Sequence, residues 1–372
     1  MLSKWDDYPV HQAALPVAQT ASSDLGRYDR HWMAMHDIDL TTQVGFGLSV
    51  HPNRGIVDAS ISIARDGRQD SVFASSRLSR DRDTIAGPLR VEVIEPMRVL
   101  RVVLEEHDGI SADLTFTGVT QHIEDGRMRR DSGTTLVSER LRTVQFGDWS
   151  GEFTVGGETV TCSPDKWRGF RDRSWGSRTT GTVAEGQHGV HKSAIYFAWT
   201  LLRFEDECLL VAVNEMPDGR SEARTVAVLP FLKAGDPAYG EEDRILRGDT
   251  FQFDIDYRPG TRRAQHVDLT VGPRGLVNRK ITIEPEGLFL MQGLGYYHPM
   301  WKHGTDHGKD IVGTDSWKLA GLDPSAMENV HAQQICRATR ADGAIGLGLF
   351  EHVAIGPHLP SGLPDGIAPL GQ

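Results

Sequence analysis

Cysteine is scarce. The chain has three, Cys162, Cys208 and Cys336, far apart and in no CxxC pair. An odd, scattered set excludes a disulfide framework and a thiolate zinc site. Long apolar runs are missing too. No stretch is long enough to span a bilayer, and Met1-Leu2-Ser3-Lys4-Trp5-Asp6-Asp7 has no apolar core for a signal peptide, so no integral membrane segment and a cytoplasmic location are expected. Positive charge is not in excess: the net charge is −11, and arginines are interleaved with Asp and Glu. An acidic chain repels phosphate backbones, so nucleic acid is not an expected partner. There is no P-loop, no dinucleotide fingerprint, no HExxH and no GxSxG elbow. Gly346-Leu347-Gly348 lies in a strand pattern with no helix after it. No nucleotide cofactor is expected.

Helical runs are few, while short segments rich in Val, Ile, Thr and Phe are many. That composition favours β structure. Residues 56–64 and 70–77 flank Asp66-Gly67, a dipeptide suited to the positive φ angles of a hairpin turn. Leu89, Val91 and Val93 alternate with polar neighbours. Leu100, Val102 and Leu104 do the same, and so do Ala112, Leu114 and Phe116 around Asp108-Gly109. Each run has the period of two of a strand with one buried face. Such strands form an antiparallel meander that closes into a barrel or sandwich. Residues 135–141 read as a short helix, and 151–160 as a hairpin turned at Gly156-Gly157.

The same grammar restarts after residue 193. It runs through Tyr196, Phe197 and Trp199, then Phe251, Phe253, Ile255 and Tyr257, and ends in two strands joined at Asp342-Gly343. A chain of 372 residues exceeds the usual single core, so two units are expected, 1–165 with an N-terminal arm and 166–372.

At the start of the second unit lies the densest stretch, residues 167–178, WRGFRDRSWGSR. Its aromatics, charges and glycines fit either a structural corner braced by an Arg–Asp pair or a pocket mouth. In the second reading Asp172 is the catalytic acid or base. Burial raises a carboxyl pKa until it can donate a proton near neutrality, whereas pairing with an arginine lowers it. Tyr196 and Trp199 are three apart, so in a strand they face opposite sides.

A second candidate is residues 296–310. Tyr296, His298 and Trp301 would face ligand from a lid. His298, His303 and His307 also have a loose spacing that could hold zinc, although Pro299 and the glycines argue against a rigid metal site. His188, His191 and the pair Glu351-His352 are weaker candidates.

With these residues in view, the chain resembles the AttH-like and hydroxyneurosporene synthase (carotenoid 1,2-hydratase) superfamily. The resemblance rests on residues 171–178 (RDRSWGSR), 53–59 (NRGIVDA) and 350–358 (FEHVAIGPH). It implies an all-β fold of two tandem lipocalin-like antiparallel barrels, with ligand in or between them. It also implies hydration, cyclisation, isomerisation or elimination on lipophilic molecules without a redox cofactor. The expected catalytic set is Asp172, Tyr296 and His298. The expected ligand contacts are Trp175, Arg178, Tyr196, Trp199, Trp301 and His303. The expected partner is a hydrophobic aromatic, cyclic or isoprenoid small molecule, with a homodimer as an option; no metal is expected. The alternative is a lipophilic-ligand binding protein without chemistry.

Overall fold

The structure, a computed structural model, describes residues 2–178, 194–240, 242–273 and 279–367. Its strands form two antiparallel sheets, and among the described residues every helix is a 3-10 turn of three or four residues. The all-β, two-barrel expectation is met. In the second sheet the strands Ile195–Arg203, Cys208–Glu215, Ser221–Leu229, Leu246–Tyr257, Ala264–Pro273 and Arg279–Pro285 run in order. Ala332–Arg340 then pairs with both Arg279–Pro285 and Ile345–Ile355, and Ile345–Ile355 returns to Ile195–Arg203, which closes the ring. The first sheet curls without a hydrogen-bonded closure. It runs from Arg68–Arg77 through Ile56–Arg65, Thr42–His51, Arg27–Asp37, Trp167–Ser177 and Thr135–Val155 to the meander Ile110–Gly118, Val99–His107 and Leu89–Glu95.

The turns form where the sequence signals them. Asp66 and Gly67 take φ values of 52° and 73°, which only a short polar residue and a glycine adopt cheaply. Residues 135–141, read as a helix, are instead the start of the 21-residue strand Thr135–Val155. Hydrogen bonds to Ile123–Ser132 on one side and Trp167–Ser177 on the other override their local helical preference. The sheets also do not divide at residue 165. Trp167–Ser177 lies inside the first sheet, paired on both edges, and Ile311–Lys318 crosses back from the second half to add a strand beside Arg68–Arg77.

Three apolar layers result. Met33, Phe46, Ile61, Val102 and Phe116 fill the first barrel. Val211, Val226, Leu269 and Phe350 fill the second. The third layer lies between the barrels, where Trp32, Ala34, Phe146 and Phe170 meet Trp199, Leu201, Phe289 and Leu349. Both barrel interiors are therefore occupied by side chains.

The docking explains the glycine-rich strand Thr42–His51. Val44, Phe46 and Leu48 point inward, while Gly45 and Gly47 leave the outer face bare. A Cβ on Gly45 would sit 2.6 Å from the ring of Phe289, and one on Gly47 2.5 Å from Arg30 Nη2. Polar residues cement the same face. Gln69 donates to Leu290 O at 2.7 Å and accepts from Leu290 N at 2.7 Å, and Gln43 donates to Gln333 at 2.9 Å. Gly45→Leu is expected to cost about 1–3 kcal/mol, since overpacking here forces the barrels apart; a lowered melting temperature checks it.

Candidate functional site

The strands Arg27–Asp37, Trp167–Ser177 and Thr135–Val155 lie side by side, and their outward faces form four cross-strand rows. The first is Ala34, Phe170 and Phe146; the second is Trp32, Asp172 and Val144. The third is Arg30, Ser174 and Arg142; the fourth is Tyr28, Gly176 and Arg140. The surface passes from apolar to carboxyl to cationic in three steps of two residues. Alternation is the cause, because only every second residue of a strand reaches this face. The other set of the central strand points away. Arg171 is buried in the first barrel, where it donates to Gln145 Oε1 at 2.9 Å. Arg173 pairs with Asp29 at the rim.

Against this face the second barrel sets Ile195, Phe197, Trp199, Asn214, Glu351 and Val353, and the segment after Met291 adds Tyr296, Tyr297, Lys302 and His303. Together they enclose a cavity of about 540 Å³, a size suited to a small organic molecule. Gly295, with φ 83°, turns the chain into this wall; a Cβ there would lie 2.6 Å from Trp301 O. Tyr297 follows with φ 57°, a strained value for an aromatic residue and one of the kind found at functional sites.

Asp172 is half-buried and lines the cavity. Its Oδ1 has no hydrogen-bond partner. Burial pushes its pKa from 3.8 to about 6, against the opposing fields of Arg142, Arg30 and Arg140; Glu351 adds to the rise. Desolvation outweighs three guanidiniums because none is in ion-pair contact with it, and Arg142 is already tied to the buried Asp125. The arginines adjacent in sequence, Arg171 and Arg173, face elsewhere, and among the described residues no arginine is in ion-pair contact with Asp172.

On the opposite wall His331 Nε2 lies 2.6 Å from Glu351 Oε1, and Gln333 donates to Glu351 Oε2 at 2.7 Å. This pair was only half visible in the sequence, where Glu351 was a weak candidate and His331 none. The cavity also carries two indoles, Trp32 and Trp199, with ring centroids 5.2 Å apart and both Nε1 atoms unpartnered. Arg142 stacks over Trp199 at 4.5 Å.

Of the residues expected from sequence, Asp172, Tyr296, Arg178, Trp199 and His303 line the cavity. Tyr296 packs edge-on to His303 and His331 at 4.7 and 4.8 Å. The others lie elsewhere. His298 is buried against Phe73, with Nε2 3.3 Å from Asp315 and Nδ1 accepting from the backbone of Trp301 at 2.9 Å. Trp301 stacks on Phe73 at 5.6 Å. Both pack the segment after Met291, a strap that leads into Ile311–Lys318, onto the first barrel. Trp175 belongs to the face turned away from the cavity. Tyr196 stacks on His358 at the far side of its strand, so the opposite orientation of Tyr196 and Trp199 holds. His298, His303 and His307 point apart, and among the described residues no three His, Cys, Asp or Glu side chains gather to hold a metal. His352 Nδ1 donates to Phe197 O at 2.9 Å and its Nε2 accepts from the Tyr257 hydroxyl at 3.0 Å, outside the cavity. His188 and His191 lie outside the described residues.

The family model described as "Family of unknown function (DUF8625)" matches residues 2–364. No curated protein matches the chain. Among solved structures, a putative AttH from Nitrosomonas europaea aligns with TM-score 0.52 and 13% identity over 93% of this chain and 98% of that one. Kievitone hydratase from Nectria haematococca aligns with TM-score 0.51 and 11% identity over 95% and 96%. CghA aligns with TM-score 0.51 and 10% identity over 88% of each chain. At such identities the likeness establishes the shared two-barrel fold, in keeping with the AttH-like resemblance. Among the described residues no helix is long and apolar enough to cross a membrane.

Proposed function

Since the chain belongs to this family of unknown function, its membership supplies no activity, and we propose one from the cavity itself: addition or elimination of water across a carbon–carbon bond of a small, largely apolar molecule, by acid–base catalysis. The observation that carries it is the Asp172 carboxyl, unpartnered at Oδ1, facing an aromatic cavity, with its pKa lifted to about 6. A structural neighbour named as a hydratase supports the same reading.

The assignment of roles follows from the two walls. Asp172 in its protonated form gives its proton to one carbon of a substrate alkene. The π pair becomes the new C–H bond and leaves a cation on the adjacent carbon, beside the faces of Trp32 and Trp199, which stabilise it. Water attacks that carbon and forms the C–O bond. The surplus proton of the water passes to His331, whose Nε2–H is directed to Glu351 so that Nδ1 is the basic nitrogen. Elimination is the same path reversed. Tyr296 holds the substrate from the loop side.

The test is the pH profile for gain or loss of one water, followed by mass spectrometry on a panel of apolar alkenes and tertiary alcohols. The acid must be protonated, so kcat/KM for hydration is expected to fall tenfold per pH unit above about pH 6. A rate that stays level through that range removes Asp172 as the acid.

A further inference from the structure

The cations of the cavity outnumber the carboxylates free to meet them. Arg140, Arg178 and Lys302 line it, and none of the three makes an ion pair among the described residues. Its two carboxylates are Asp172 and Glu351, and Glu351 is already held by His331 and Gln333. Arg140 has a buried Nε without a partner, and Arg178 a buried Nη2 without one. A buried guanidinium lacking its counter-charge is costly, and proteins keep such groups where something else supplies the charge.

The packing of Arg178 sharpens the point. Its guanidinium lies 4.3 Å from the ring centroid of Tyr28 and 5.7 Å from that of Tyr296. Ring faces fix the position of the group while leaving N–H bonds at its edge available. Gly176, in the same cross-strand row as Tyr28 and Arg140, contributes no side chain between them. It must be glycine for a separate reason, since a Cβ would fall 1.9 Å from Glu139 O. The result is a cationic notch at one end of an otherwise aromatic cavity, in a protein whose overall charge is −11.

We propose that the molecule bound here carries a carboxylate, seated at Arg140 and Arg178, with its apolar body along Trp32, Phe197 and Trp199. Calling it the substrate rests on the hydration–elimination reading; the carboxylate site itself does not. Two guanidiniums match the two oxygens of a carboxylate better than a single-atom anion. The site also couples binding to chemistry. Asp172 is faced by Arg30, Arg140, Arg142, Arg178 and Glu351, with the His331 ring behind Glu351. A carboxylate that offsets the fields of Arg140 and Arg178 makes Asp172 easier to protonate, so the ligand brings a proton to the acid as it docks.

The test is calorimetric titration of the full chain with matched pairs, arylpropenoic acids of increasing aryl size against their primary amides, at pH 7 in two buffers of different ionisation enthalpy. At least one acid is expected to bind roughly tenfold or more tighter than its amide, with net proton uptake. Arg140→Gln and Arg178→Gln should each erase most of that preference, and Arg178→Lys should retain part of it; melting curves confirm that each variant folds. Amides binding as well as acids in every pair, no acid binding at all, or an acid preference intact in the folded Arg140→Gln/Arg178→Gln double variant would overturn the inference. The two readings separate cleanly. An acid preference that survives in Asp172→Asn, in a protein that turns over nothing, keeps the carboxylate site and sinks the enzyme. Turnover of neutral substrates without acid preference does the reverse.

Discussion

Asp172→Asn is expected to lower turnover by ~10²–10⁴-fold and, above pH 6, to make the protein more stable. The two effects share one cause. The carboxyl has a pKa of 3.8 ordinarily and about 6 in the folded chain. Between those values the native state holds a proton that the unfolded state has released, so stability declines as pH rises through that window and is lowest, with respect to this group, above it. Two pKa units correspond to about 3 kcal/mol as an upper figure. Asparagine occupies nearly the same volume and carries no charge, so it escapes the penalty. Urea unfolding of both proteins at several pH values checks the prediction. The curves should converge near pH 4 and separate above 6, with the variant more stable. A structural ion pair at Asp172 would give the opposite sign at neutral pH. A variant that is less stable there and equally active would end the catalytic assignment.

Asp125→Ala is expected to cost about 3–5 kcal/mol. Asp125 and Arg142 are each 4% exposed and in ion-pair contact beneath the cavity. A bulge creates the pair: in the register of these strands, Asp125 and Gly126 together stand opposite Arg142 alone, and Gly126 takes φ 71°. Removing the carboxylate strands a guanidinium in a dry site. Most of the loss should return in Asp125→Ala/Arg142→Met, where both charges are gone, and that non-additivity marks the pair. The single variant should also move the activity profile. An Arg142 no longer neutralised acts more strongly on Asp172, lowers its pKa and shifts the fall in activity to lower pH.

The sequence disclosed the site unevenly, for physical reasons. Hairpins at Asp66-Gly67, Asp108-Gly109 and Gly156-Gly157 were legible because their backbone angles need those residues. Asp172 stood out because a carboxylate between aromatics and glycines is chemically odd. Arg140 and Arg142 did not, because Arg140 falls in residues 135–141, which pass for helix, and Arg142 directly follows them. In a helix they lie on different faces, and only in a strand do they share one. Arg30 and Trp32 were hidden likewise, since their neighbour in space is Asp172, far along the chain. His298 and Trp301 illustrate the reverse error. Their loop does reach the cavity, but the two side chains fall on its far side, against Phe73, and nothing local distinguishes the two sides of a loop. The closed second barrel was foreshadowed by its alternating strands. The crossing of Ile311–Lys318 was not, because an edge strand takes its partner from the sheet it happens to meet.

That crossing sets a timetable for the molecule. While the chain is being made, Arg68–Arg77 emerges early and lacks its outer partner until residues 311–318 have been synthesised, which leaves a sheet edge open to pairing with other chains. Once closed, the strap ties the fate of the two barrels together. The second cannot come apart without drawing the strap off the first, and the wall of Tyr296 and His303 goes with it. The cavity thus exists only in the finished chain, and neither half inherits it.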